Sequence, residues 1–592
     1  MAEYSVSHLN DLHDQGVLSH LDYYFAKTVA DIFDDASPLA MLSAGLASKA
    51  LADGHVCFNL GVNAGTEVLD DPGGRSVLRL PGLDAWVKTL EDTEMVGKTS
   101  DRPAAEGFER REWIKKFPLI LDRDNNLYLS KYYDFQYRLA SDIASRVLAP
   151  ADPVDGAFIR EGMDRFFKNQ DPVKTAGQQT AVRNAMTRNF LVISGGPGTG
   201  KTHITNIISK LLEMWAESNN MPGPRILSMA PTGKAASRLE NGATIHSVLQ
   251  PKPGGIGFRH NRDNPLAADM VIIDEASMID IALMTRLMEA IPPKARVILL
   301  GDRNQLSPVQ AGAVFTDICN AKAMAEHRVF LDFNFRSQGQ SGIENLANAV
   351  NNNDADAVSD ILTGGIYEDV RFEETCNTSG PGFTSALTTH VAGGYRALAE
   401  SLTPEQAMAD MDAFRILCAH NRGEAGTLQI NHLCEMILRR YGDSAIKRPF
   451  FRQIAMVRRN DYRQELFNGD TGVVWEEKGN RTVWFPDTGG NVRRFRYLDI
   501  PAHEPGFAVT IHKSQGSEYG TVLIVIPDRI SPVVTRQLLY TGITRARKKV
   551  VVLGSRDVIR EAMETPLERR SNLAAALTRQ LGREGGNTQA PG

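Results

Sequence analysis

The stretch FLVISGGPGTGKT, Phe190 to Thr202, decides the architecture. FLVIS (190–194) is a short apolar run rich in β-branched residues, as in a buried strand. GGPGTGKT (195–202) fits G-x-x-x-x-G-K-[ST]. Beyond it, Ile204, Ile207, Ile208, Leu211, Leu212 and Trp215 follow the i, i+3, i+4 spacing of one buried helix face. A glycine loop between a strand and a helix turns successive backbone N–H groups around a phosphate, and the helix N-terminus adds its positive end. Gly195, Gly196, Pro197, Gly198, Thr199 and Gly200 are therefore the candidate cradle of a nucleotide, ATP. Lys201 is placed for the β- and γ-phosphates and Thr202 for Mg²⁺.

Further apolar runs follow at helix-length intervals: RILSMAP (225–231), MVIID (270–274), RVILLGD (296–302) and RVFLDF (328–333). Such runs, separated by helical patterns, predict a parallel sheet covered on both faces. Asp274 ends one of them with Glu275 beside it, a pair suited to holding the metal and orienting the attacking water, respectively. Gln305, in LLGDRNQLSP, follows another strand and suits an amide that senses the γ-phosphate, with a plain polar loop as the alternative. Gln178, in AGQQTAV, precedes the loop by a helix length and is placed either to read the adenine edge or to start a solvated helix.

A second α/β texture follows the break CNTSGPGFTS (376–385), in FRILCAH (414–420), FAVTIH (507–512), TVLIVIP (521–527) and KVVVLGS (549–555). Between about 448 and 505 an Arg-, aromatic- and Gly-rich piece reads as a small inserted β-barrel. Residues 1–150 read as a mainly helical unit ending in the linker APADPVDG (149–156). The expected division is 1–150, a first motor domain over 151–375, a second over 376–575 and a disordered tail over 576–592.

The 592 residues are 42% hydrophobic and 23% charged, which excludes disordered, collagen-like and coiled-coil chains. The net charge of −5 gives by itself no reason to expect nucleic acid. Five cysteines without a C-x-x-C pair read as reduced thiols. MAEYSVSHLNDLHDQG has neither the basic start nor the apolar core of a signal peptide, and no apolar run approaches the ~20 residues of a membrane span. A cytoplasmic protein is expected.

The motifs argue against the charge. AGQQTAV, GGPGTGKT, APTGKAA (230–236), TIHSVL (244–249), IIDEAS, GDRNQLSP, LDFNFRS (331–337), VTIHKSQGSE (509–518) and YTGITRAR (540–547) occur in this order. Together they resemble the superfamily 1 helicases that move 5′→3′ along single-stranded DNA. The resemblance implies two RecA-like P-loop NTPase domains sharing one ATP, with an SH3-like β-barrel inserted in the second. It implies Arg336 and Arg545 as arginine fingers and Glu518 as a ribose ligand. Thr232, Thr244, His246, Thr510 and His512 fall in blocks that touch the DNA backbone, although alone they would read as structural caps. The basic and aromatic flank RRYGDSAIKRPFFRQIAMVRRNDYR (439–463) suits a single strand or is a solvated face. QPKPGGIGFRHNRDNP (250–265) sits where a strand-separating pin would lie.

LDYYFAKTVADIF, DGHVCFNL (53–60) and LILDRDNNLYLSKYYDF (119–135) are similar to the N-terminal domain of RecD, a subunit of bacterial RecBCD, exonuclease V. That resemblance implies a heterotrimer with RecB and RecC acting at double-stranded DNA ends, the first 150 residues docking on RecC. No carboxylate–carboxylate–E-x-K nuclease constellation is visible, so nuclease activity is expected in RecB. A free-standing RecD-like helicase and an ATP-gated regulatory subunit are the alternatives.

Overall fold

In the computed structural model, residues 4–35, 37–68, 78–100, 108–152, 154–252, 254, 257–336, 341–441, 452–461, 463–477, 479–487, 492–565 and 567–585 are described. The Phe190–Gly195 strand is buried along its length in a six-stranded parallel sheet. The order is Arg328–Leu331, Phe190–Gly195, Arg296–Gly301, Met270–Ile273, Ile226–Ala230, Ala243–Thr244. Val192 and Ile193 alternate between its two faces. Ile193 packs with Ile204, Ile208 and Leu211, and Val192 with Met284, Leu287 and Phe315. Burial on both faces explains why these strands read as unbroken apolar runs.

The second parallel sheet has the order Val370–Glu374, Ala546–Gly554, Tyr519–Val525, Phe414–Cys418, Ala508–Thr510. Its edge strand begins at Val370, and the Gly342–Asn351 helix packs on the Arg536–Ile543 helix of the same domain. The first motor domain therefore gives way to the second in the segment after Arg336. The Pro/Gly break at 376–385 is a loop and helix start inside the second domain, not the boundary at 375/376 that its composition suggested.

An antiparallel five-stranded sheet is inserted between the Thr427–Tyr441 helix and the Ala508–Thr510 strand. Its order is Val492–Arg496, Asn480–Pro486, Thr471–Glu477, Gln453–Val457, His503–Pro505, around Val457, Val474, Val483 and Phe485. It matches the expected insert. Residues 442–451 and 462 of the basic flank, and 253, 255 and 256 of the pin segment, lie outside the described residues.

The N-terminal unit packs the helices Val6–Asp14, His20–Ile32, Pro38–Ala52 and Leu83–Glu91 around Trp86, whose Nε1 donates to the buried Ser43 Oγ at 2.7 Å. It also carries a small sheet ordered Phe58–Asn59, Asn126–Leu129, Leu119–Leu121, Val96–Lys98. The following Ser130–Leu148 helix belongs to the motor, not to the docking unit expected to reach residue 150. It lies on the Ile281–Ala290 helix, and the buried Arg146 guanidinium donates to the carbonyls of Met288, Ile291, Pro292 and Ala295, satisfying that helix's C-terminal end.

The expected tail is largely structured: Leu573–Gly585 is a helix. Leu573 and Leu577, one turn apart, are fully buried with Leu139 and Ile143 in the core of the first motor domain. The terminal glycines had masked this i, i+4 pair. Residues 586–592 lie outside the described residues. A strap before this helix is tied to the N-terminal unit, with Val56 N donating to Arg570 O (2.7 Å) and Arg570 N to His55 Nδ1 (2.9 Å). Among the described residues no helix is long and apolar enough to cross a membrane.

Candidate nucleotide and strand-binding sites

The P-loop takes its shape from Gly198 and Gly200, at φ +84° and +87°, in the left-handed region. A Cβ at Gly198 would lie 2.3 Å from Asn334 Oδ1, and one at Gly200 2.4 Å from Gln178 Nε2. LDFNFRS and AGQQTAV thus brace the loop from two sides. Phe335 N donates to Gly198 O (3.0 Å), and Gln178 Nε2 donates to Thr199 O (2.9 Å). Gln178 is buried, which removes the solvated-helix reading, and its Oε1 has no hydrogen-bond partner. A buried acceptor left over at the loop's edge fits an amino group such as that of adenine.

Lys201 Nζ donates to the carbonyls of Gly195 (2.6 Å) and Gly196 (3.2 Å), and Thr202 is exposed at the helix start. Asp274 Oδ1 accepts from Glu275 N at 2.8 Å, and Glu275 holds φ +51°, a strained conformation for a side chain of its size. Burial and the Asp274 carboxylate push the Glu275 carboxyl up. Lys201, Arg545 and Arg238 pull it back. A carboxylate raised this way is a better base for an attacking water. These residues fit Mg·ATP: Thr202 and Asp274 would hold the ion, which keeps most of its ligands as water and phosphate oxygens. Bound there, the ion neutralises phosphate charge.

Spacing did not single out Asp302 and Tyr540. Asp302, in GDRNQLSP, is buried. Its Oδ2 accepts from Gln305 Nε2 (3.1 Å) and from the Tyr540 hydroxyl of the second motor domain (2.8 Å). Gln305 is also buried with an unpartnered Oε1, so the polar-loop alternative does not describe it. Tyr540 reaches the P-loop as well, its hydroxyl 3.1 Å from where a Gly196 Cβ would stand. Beside it, Leu306 N donates to Thr541 Oγ1 (3.0 Å) and Gln515 Nε2 to Leu306 O (2.9 Å). A 460 Å³ cleft between the domains is lined by Pro197, Thr199 and Arg336 on one side and Tyr540, Thr544 and Arg547 on the other.

Arg336 and Glu518 meet each other, with Nη2 2.9 and 2.8 Å from the two carboxylate oxygens. Arg545 is buried and turns its donors onto its own domain, to Thr541 O, Ser517 O and Thr544 Oγ1. Thr232 and Thr244 cap short helices through Ala235 N and Ser247 N, both at 3.2 Å, and Thr510 Oγ1 accepts from Lys513 N (3.3 Å). The capping alternative is thus what the structure shows for the threonines. His246 stands edge-on to Phe258 with ring centroids 5.8 Å apart, and burial lowers the pKa values of His246 and His512.

Three family models match this chain: the RecBCD subunit RecD N-terminal domain over 14–128, an AAA domain over 178–311 and the UvrD-like helicase C-terminal domain over 505–553. The RecBCD enzyme subunit RecD of Mycolicibacterium smegmatis is 30% identical, aligning over 95% of this chain and 98% of its own length. That of Mycobacterium tuberculosis is 31% identical over 95% of each. The ATP-dependent RecD2 DNA helicase of Deinococcus radiodurans is 32% identical over 73% of this chain and 56% of its own. With near-full-length identity at this level, two motor sheets and a P-loop between them, the chain belongs to the RecD family of RecBCD enzyme subunits.

Proposed function

We propose that this ATP-dependent DNA helicase is a 5′→3′ single-strand translocase, acting in the cytoplasm as the RecD subunit beside RecB and RecC on broken DNA ends. The observation that carries the reading is the interdomain cleft. P-loop residues of one RecA-like domain and the YTGITRAR block of the other line the same cavity, and Tyr540 is bonded to Asp302 across it. ATP held there contacts both bodies, so its binding and hydrolysis change their separation. Thr232 and Thr244 on one body, and Thr510 and His512 on the other, then grip the strand in turn. Lys201 and Thr202 hold phosphate and Mg²⁺, Asp274 the ion, and Glu275 and Gln305 the attacking water, while Arg336 and Arg545 neutralise charge in the transition state. The roles of Arg336 and Arg545 need rotations away from their present partners.

The match of residues 14–128 to the RecD N-terminal model supports a subunit over a free-standing helicase. Nuclease activity then belongs to RecB, and the assembled enzyme serves double-strand break repair by recombination and degrades linear DNA. The test is Lys201→Gln: ATP hydrolysis and unwinding from 5′ ends are lost, while co-purification with RecB and RecC is retained. Undiminished 5′-end translocation by that variant overturns the mechanism.

A further inference from the structure

A second, larger cleft of 1290 Å³ separates the N-terminal unit from the second motor domain. It exceeds the about 300–1,000 Å³ of small-molecule sites, so a polymer suits it better. One wall carries Thr510 and His512, with Arg422 and Lys513 beside them. The facing wall belongs to the N-terminal unit and presents Lys49, Asn59 and Asn63. Arg569 and Arg570 of the strap close one end, and Val309, 72% exposed, offers an apolar surface for a base.

Five cationic side chains thus face three carboxylates, Asp53, Glu67 and Glu568. Lys49 pairs with Asp53, Arg570 with Glu568 and Lys513 with Glu504, while Arg569 Nη1 donates to the Asp53 carbonyl and the buried Arg569 Nε has no hydrogen-bond partner. Burial lowers the Arg569 pKa, against a partial pull from Asp53, and burial together with the Arg569 charge lowers that of His512. No carboxylate forms an ion pair with the Arg569 guanidinium among the described residues, so a phosphate would supply a counter-charge there. Cationic and amide groups along a groove are the backbone-tracking part of sequence-tolerant single-strand binding.

We propose that the N-terminal unit, with the strap tied to it, is the outer wall of the single-strand path, holding the strand's backbone through Lys49 and Asn63 of the unit and Arg569 of the strap, opposite Thr510 and His512. This rests on the strand-binding reading of Thr510 and His512. The wall is carried by the first motor domain, since Gly312 N donates to Gly54 O at 3.0 Å. Thr510 and His512 belong to the second. The cleft therefore widens and narrows with the same domain motion that ATP drives.

The test uses the full chain and an oligothymidylate of about twenty nucleotides. Lys49→Ala weakens binding several-fold and lowers the log–log salt slope by about 0.7, one single-strand phosphate contact. A photo-cross-linking benzophenone amino acid at position 49, and separately at 422, gives DNA adducts, whereas one at the exposed Glu91 gives none. Adducts at 422 but not 49, with an unchanged salt slope in Lys49→Ala, overturn the wall and leave the motor-side site intact. Adducts at neither position, with no binding by the unaltered chain, overturn the strand-binding reading itself.

Discussion

Arg336 and Glu518 form an ion pair between the segment that leaves the first motor sheet and the motif block of the second, Nη2 standing 2.8 and 2.9 Å from the two oxygens. Burial alone would raise the Glu518 carboxyl, but the Arg336 charge and hydrogen bond bring it below the usual glutamate range. The pair competes with any phosphate that seeks Arg336. With Arg336 still partly in solvent, the pair contributes about 0.5–1 kcal/mol, so Glu518→Gln should lower the ATP KM by about two- to fivefold. Steady-state ATPase assays decide it. A raised KM would instead assign Glu518 to the ribose.

Tyr540 is joined to Gln305 through Asp302, whose Oδ2 accepts from both. With one amide donor of Gln305 fixed on the Asp302 carboxylate, its unpartnered Oε1 is aimed rather than free to flip. Tyr540→Phe removes one bond to a carboxylate, worth about 1.4 kcal/mol where it acts in the transition state, and should lower DNA-stimulated kcat about tenfold with KM for ATP unchanged. A change in KM alone would show that Tyr540 only shapes the pocket.

Most of the motor could be read from the sequence because its chemistry is local. Backbone geometry forces the glycines of GGPGTGKT, and burial on both faces makes each central strand an unbroken apolar run. Partnerships across sequence distance could not be read. Nothing in LDFNFRS or VTIHKSQGSE says that Arg336 and Glu518 meet, nor in YTGITRAR that Tyr540 finds Asp302. The boundary near 375 misled because a Pro/Gly cluster marks a turn without telling which sheet its neighbours join. The Leu573–Leu577 pair lay hidden beside terminal glycines. Asp302 lies inside GDRNQLSP, and a carboxylate directly after a strand, three residues before the Gln305 amide, was the signal available.

The docking of the strap should be visible in pH melts. Asp317 accepts from Ser571 Oγ at 2.6 Å, and burial pushes its carboxyl up to about 7 from the ordinary 3.8. Between those values the unfolded chain has released a proton that the folded chain keeps. Stability therefore falls as pH rises from about 4 to 7 and is level above. Asp317→Asn should flatten this slope, raising Tm at about pH 8 and leaving it nearly unchanged at about pH 4.

Leu577→Ala should cost about 2–4 kcal/mol in the unfolding of the first motor domain, measured by denaturant titration. A loss below about 0.5 kcal/mol would mean that the Leu573–Gly585 helix is not part of that core.

The position of that helix sets the order of synthesis and assembly. A growing chain folds its domains as they emerge, N-terminal first. Here the core around Leu139 and Ile143 waits for leucines made after the whole second motor domain. Until the ribosome delivers them, an apolar strip of the Ser130–Leu148 helix stays open to solvent and to chaperones. The nascent protein therefore cannot finish its P-loop domain before its second motor domain exists, and an interrupted translation product lacks a sealed motor.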